Sequence, residues 1–144
     1  MNIQHILATK GAHVLTIRPE QAIREALDLF IKHNIGALVV LDEAGHLIGL
    51  LAERDILRAA PMNETIFSQP VRAVMTREPI TAVPQDDLMS VATTMTDMRI
   101  RHVPVVDQGR LVGIVSIGDV VKAQRDQYRG EVETLQTQLL ADEI

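Results

Sequence analysis

Two stretches of this chain are close copies of one another. Residues 46–57 read HLIGLLAERDIL and residues 110–121 read RLVGIVSIGDVV. The likeness extends well beyond them. Thr16 meets Thr81, Pro19 meets Pro84, Ile35 meets Ile100 and Asp42 meets Asp107, each pair 65 positions apart. After one residue is skipped near Ala44, Gly45 meets Gly109, Leu47 meets Leu111, Gly49 meets Gly113 and Asp55 meets Asp119, each pair 64 apart. An internal repeat constrains the fold more than any composition does. A unit of roughly 50 residues cannot bury a sheet face alone, so the two copies must share a core.

Each copy carries the same run of signals. An extended piece, VLTI from Val14 or PITAV from Pro79, leads to a proline, which disfavours helix in the residue before it. A helix follows with one apolar stripe, Ile23, Ala26, Leu27 and Phe30 in the first copy and Leu88, Val91, Ala92 and Met95 in the second. Two strands joined by a turn come next, ALVVL and HLIGLL around DEAG, then HVPVV and RLVGIV around DQG. Pro104 cannot donate to a ladder, which predicts an edge or a bulge there. A second helix begins near Asp55 or Asp119. The expected fold class is α+β with α/β-type layers: two β-α-β-β-α units related by a pseudo-twofold, plus a C-terminal helix. The boundaries are 1–62 for the first unit with its N-terminal segment, 63–124 for the second with its linker, and 125–144 for the tail. The linker itself, Ala60–Met75, carries a short helical turn in this reading.

Composition excludes several functions. Of 144 residues only two are Phe and one Tyr, so the core is aliphatic and no aromatic platform for single-stranded bases exists. A net charge of −5 gives no basic footprint for nucleic acid. With no cysteine there are no disulfides, thiol nucleophiles or thiolate metal sites. Apolar runs fall far short of the ~18 residues of a membrane span, and MNIQHILATKG lacks the pattern of a signal peptide. The expectation is a cytoplasmic protein without membrane or nucleic-acid partners. No zinc-helix spacing of histidines, Walker loop, dinucleotide fingerprint or nucleophile elbow is present, so no enzyme is expected and no metal.

With VMTREPITAVP and IRHVPVVDQGRLVGIVSIGDVV as its clearest stretches, the tandem unit resembles a pair of cystathionine β-synthase (CBS) domains over roughly residues 3–124. The resemblance implies a flat regulatory module whose cleft binds an adenosine-containing ligand: AMP, ADP, ATP, NAD(H) or S-adenosylmethionine. It implies a homodimer, and a regulated effector protein acting in trans. It gives Asp119 the ribose hydroxyls, for which a carboxylate is a strong acceptor, with Ser116 nearby. Across the pseudo-twofold, Ile35, Gly36 and Ala37 face adenine alongside Ile114. Thr9 and Lys10 reach ribose or phosphate, and Arg101 with His102 points toward phosphate.

A structural role competes for the same residues. Ser116 followed three positions later by Asp119 is also a capping box, and an acid in a first helical turn complements the helix dipole. The first copy carries Ala52 where the second has Ser116. Its slot, built from Leu50, Ala52, Asp55, Thr76, Ile80 and Ile100 with Arg101, is therefore expected to be the weaker. Glu53 and Arg54 read as solvent-facing helix residues. The alternative to a sensor is an interaction scaffold whose ligand sites are vestigial.

Beyond the repeat, Val121, Tyr128, Val132, Leu135 and Leu139 recur at helical intervals. Such a stripe lies either against its own module or against a partner subunit. Gly130 interrupts it and predicts a kink or fraying.

Overall fold

The computed structural model describes residues 1–11 and 13–142. It opens with a helix that the repeat does not announce, α1 (Ile3–Lys10). Asn2 caps it: the Asn2 side chain accepts from the His5 amide, and His5 Nδ1 accepts from the Asn2 amide. Gly11, at φ 93°, ends it. The cap and the glycine are both visible in the sequence, but only Ile3, Ile6 and Leu7 mark its buried face.

The first unit runs β1 (Thr16–Ile17), α2 (Ile23–His33), β2 (Ala37–Leu41), β3 (Leu47–Ala52) and α3 (Glu53–Ala59). The linker holds three short 3-10 turns, Ala60–Met62, Ile66–Ser68 and Val71–Ala73, and then β4 (Thr76–Arg77). The second unit supplies α4 (Leu88–Met98), β5 (His102–Asp107), β6 (Arg110–Ser116) and α5 (Ile117–Asp142). One sheet has the order β1-β2-β3-β4, with β1 parallel to β2 and the other neighbours antiparallel; the second is the β5-β6 hairpin. This is the mixed α+β, twice-repeated architecture the sequence predicts, and the apolar stripes of α2 and α4 face inward as expected.

The skipped residue has a local cause. In the second unit Gln108 (φ 51°) and Gly109 (φ 78°) close a two-residue hairpin loop between Asp107 and Arg110. In the first, Asp42 turns the chain over one residue more. Its Oδ1 accepts from the His46 amide at 2.8 Å, and Gly45 takes the positive φ. Both hairpins bulge at the same place, between Val40 and Leu41 and between Val105 and Val106.

PITAV, expected to be a strand, contributes a single parallel bridge, Ala82 to Val105. The reason is Pro104. In the first unit the Val39 amide donates to Leu15 O at 3.4 Å, whereas Pro104, its counterpart, has no N–H to offer Ile80. As expected of a proline, Pro104 sits in an edge strand beside a bulge: it pairs with Ile114 on one side and stops the ladder on the other.

Three apolar clusters hold the molecule together. Phe30, Leu38, Leu51 and Ile56 form the first unit's helix-facing core, which Ile66 and Val71 of the linker complete. Leu88, Met95, Val105 and Val115 form the second, completed by Ile3, Ile6 and Leu7 of α1. Between the sheets lie Ala37, Val39 and Leu50 against Leu111 and Ile114. The N-terminal segment therefore covers the second unit, while the linker returns to cover the first.

The tail departs from expectation at Gly130. α5 is one uninterrupted helix of 26 residues that passes straight through Gly130. A glycine penalty of about 1 kcal/mol in one turn is too small to break a helix continued by good formers on both sides. The stripe does not pack on its own module: Tyr128, Leu135 and Leu139 are 69%, 60% and 65% exposed. Among the described residues no helix is long and apolar enough to cross a membrane.

Candidate functional site

Each unit brings a strand end, a helix start and the carbonyl of a facing loop to one point. The Glu53 amide, at the start of α3, donates to Gly36 O at 3.1 Å; the Ile117 amide, at the start of α5, donates to Arg101 O at 2.8 Å. Just inside each helix sits the repeated aspartate. Two slots result, one beside Asp119 and one beside Asp55.

At the first, the capping box predicted from Ser116 and Asp119 is formed. The Ser116 amide donates to Asp119 Oδ2 at 2.8 Å, and the Asp119 amide donates to Ser116 Oγ at 3.1 Å. Lys10 Nζ then donates to the same Asp119 oxygen at 2.6 Å and to Ile114 O at 2.8 Å. Burial alone would raise the Asp119 carboxyl, but the Lys10 ammonium and the Ser116 amide outweigh it and hold the group below its ordinary range. The hydroxyl of Thr9 turns back onto its own helix, to His5 O at 3.2 Å. Ala37 is buried between the sheets, Ile35 is half-buried behind Gly36, and neither presents a polar side chain.

At the second slot the aspartate is differently held. Asp55 Oδ2 accepts from the Ala52 amide at 2.8 Å, and Oδ1 accepts from Thr76 Oγ1 at 3.2 Å. Among the described residues no ammonium pairs with it. Here the structure opens into a cavity of about 360 Å³, within the size range of small-ligand pockets. Leu50, Ala52, Thr76, Ile80 and Ile100, all expected in this slot, line it. Arg101, expected at both slots, lines it, and so do Gly36 and His102, expected at the other. This cavity thus lies at the slot the sequence ranks second.

Sequence reasoning missed part of its wall. Arg58 comes one helical turn after Asp55; Glu78 and Pro79 follow β4; Met98 and Arg99 end α4. Glu53 and Arg54 border it as well, although they are exposed as expected. The repeat, which sets Arg99 opposite Asn34, is the signal that could have found it. Both residues end a helix with φ near 50°, a region asparagine tolerates and arginine does not favour.

His102 lies between the two slots. Its ring comes within 3.4 Å of where a side chain on Gly36 would begin. Burial pushes its basicity down, and the nearby Lys10 and Arg101 push it further, against an opposing pull from Asp119. Among the described residues no group of His, Asp and Glu is arranged to hold a metal ion.

A carboxylate that accepts from a hydroxyl, an apolar wall and a rim of guanidinium groups meet in this cavity. Comparison with known proteins agrees with the architecture. The CBS domain family model matches residues 5–61 and 71–126. The CBS domain-containing protein YhcV of Bacillus subtilis is 37% identical over 116 residues, covering 81% of this chain and 82% of that one. Among solved structures, the CBS-domain containing protein ATU1752 of Agrobacterium tumefaciens superimposes with a TM-score of 0.83 at 38% identity, covering 85% of this chain and 92% of the other. The CBS domain pair of protein MJ0100, solved in complex with 5′-methylthioadenosine and S-adenosyl-L-methionine, gives 0.78 at 33% identity, covering 88% and 98%. The two repeated units are a CBS domain pair, and the chain belongs to the CBS-domain family.

Proposed function

We propose that this chain is a regulatory module that binds a phosphorylated adenosine ligand, AMP, ADP, ATP or NAD(H), in the cavity beside Asp55. The observation that carries the reading is the composition of that cavity's wall. Asp55 has two hydrogen bonds to its carboxylate and capacity for about two more, enough for a pair of vicinal ribose hydroxyls. Leu50, Ile80 and Ile100 supply an apolar surface for a base. Arg54, Arg58, Arg99 and Arg101 stand against Glu53, Asp55 and Glu78, and guanidinium groups suit phosphate oxygens. The adenosine ligands of the MJ0100 pair support the nucleoside half of this reading; the arginines support the phosphate half.

Ligand bound here would bridge the start of α3 in one unit and the end of α4 in the other. It would shift the module's geometry by as much as it prefers one arrangement. The module is proposed to act as a homodimer on an effector protein in trans.

At the Asp119 slot a second reading has its own support. With Lys10 on the carboxylate and on Ile114 O, that slot is held together from within, and Asp119 serves as a helix cap. A thermal-shift screen with AMP, ADP, ATP, NAD, NADH and S-adenosylmethionine tests both readings. Stabilisation by a phosphorylated compound that Asp55→Asn abolishes supports the proposal. Stabilisation that only Asp119→Asn abolishes moves the site to the other slot, and no stabilisation by any compound leaves a scaffold.

A further inference from the structure

α5 carries a second pattern that the binding site does not use. From Arg125 to Asp142 every residue is exposed, so about five helical turns, some 27 Å, project from the module. A lone helical arm of this length is marginal in water. Along it, Val121, Arg125, Tyr128, Val132, Leu135, Leu139 and Asp142 fall at alternating steps of four and three, the seam of a coiled coil. The family match ends at residue 126, so most of this seam lies beyond it.

Two members of the seam are charged and of opposite sign, one near each end. The flanks share the asymmetry. Lys122 and Arg129 share the first half with Asp126, whereas Glu131 and Glu133 stand without a base in the second. In a parallel pair Arg125 would meet Arg125 and Asp142 would meet Asp142, setting like charges in the seam. In an antiparallel pair with its twofold between Glu133 and Thr134, Val132 meets the second copy's Leu135. Tyr128 then meets its Leu139, and Arg125 its Asp142. Repulsion in one arrangement and attraction in the other select between them.

We propose that the arm docks a second copy of this chain as an antiparallel two-helix coiled coil in that register. The proposal rests on the homodimer reading above and adds its surface and orientation. The modules then sit at opposite ends of the paired arms.

The chain has no cysteine, so engineered cysteines report the register without background. Purified Tyr128→Cys and Leu139→Cys proteins are oxidised separately and as a mixture, and the mass of the unmodified protein is measured by light scattering. The expected result is a dimer mass, with disulfide cross-links in the mixture and none in either protein alone. Cross-linking of each variant to itself overturns the antiparallel register while leaving the homodimer intact. A monomer mass overturns both. Leu135→Asp distinguishes the remaining case: a dimer that survives it, with thermal stability unchanged, is built on another face and sinks the arm as the interface.

Discussion

Lys10 and Asp119 are 109 positions apart in the chain, yet Lys10 Nζ lies 2.6 Å from Asp119 Oδ2. The last residue of the first helix thereby neutralises the aspartate that caps the last one. Because the Asp119 carboxyl is held below its ordinary value of 3.8, the unfolded chain binds the more protons as pH falls. The stabilisation is complete above that ordinary value and is lost as pH drops through the lower, folded one. At neutral pH, Lys10→Met is expected to lower stability by roughly 0.5–1 kcal/mol. Denaturant melts should show parent and variant converging in acid; a gap that stays constant there would mean the ion pair contributes nothing.

Asp55→Asn is expected to abolish the thermal shift given by a phosphorylated adenosine compound, while Asp119→Asn leaves it in place. At a hundred times its dissociation constant a ligand adds ~2.7 kcal/mol, which is a rise of several degrees in Tm. Equal losses in both variants would show that the two slots act as one.

Arg99 holds φ at 55° as it ends α4, and the same residue lines the cavity. Non-glycine residues disfavour this region by about 1–2 kcal/mol, and asparagine suffers least. Arg99→Asn is therefore expected to stabilise the fold by roughly 0.5–1 kcal/mol. It should also weaken ATP more than adenosine. Urea melts and a pair of titrations check the two halves independently, and an unstabilised variant with unchanged ATP affinity would remove Arg99 from both roles.

A side chain at Gly49 would begin 2.5 Å from Met75 Sδ and 3.1 Å from Thr76 O; at Gly113 its nearest neighbours would be side-chain atoms of Leu7, the first 2.5 Å away. The leucine is a flexible neighbour, while Thr76 O is backbone. Gly49→Ala is thus expected to cost about 1–3 kcal/mol, more than Gly113→Ala. It should lower ligand affinity as well, because displacing Thr76 removes its hydrogen bond to Asp55. Comparable affinity in the two variants would argue against that coupling.

With its basicity lowered by burial and by Lys10 and Arg101, His102 is neutral at pH 7 in the folded protein. The unfolded chain takes up this proton more readily, so His102 removes stability as pH falls below 6.5. A phosphate in the cavity would favour the protonated ring. ATP binding is therefore expected to take up a proton and to tighten as pH falls toward 6. Calorimetry in buffers of different ionisation heat measures this; proton uptake that persists in His102→Gln would assign the effect elsewhere.

The repeat made the architecture legible because the hairpin and the helix before it each appear twice, with the inward stripes of α2 and α4 on matching residues. Even the one-residue skip at Ala44 corresponds to a real difference in loop length. What it could not convey was whatever differs between the copies. α1 aligns with a linker built of 3-10 turns, so its helical state has no echo. Pro104 erases a strand that VLTI partly forms. The slots were harder still. The missing hydroxyl at Ala52 is plain in the sequence, but the ammonium at Asp119 depends on α1 packing against the second unit, 109 positions from the aspartate. The positive φ of Glu78 and Arg99, in two residues of the cavity wall, has no signature in their identities.

The crossed covering segments have a consequence for how such a chain can be cut. Because Ile3, Ile6 and Leu7 close the second core while Ile66 and Val71 close the first, a fragment ending near residue 60 would carry the other unit's lid and lack its own. Neither unit of the repeat is therefore expected to fold on its own. The two should melt and exchange amide protons together, and separated fragments should recover structure only when mixed.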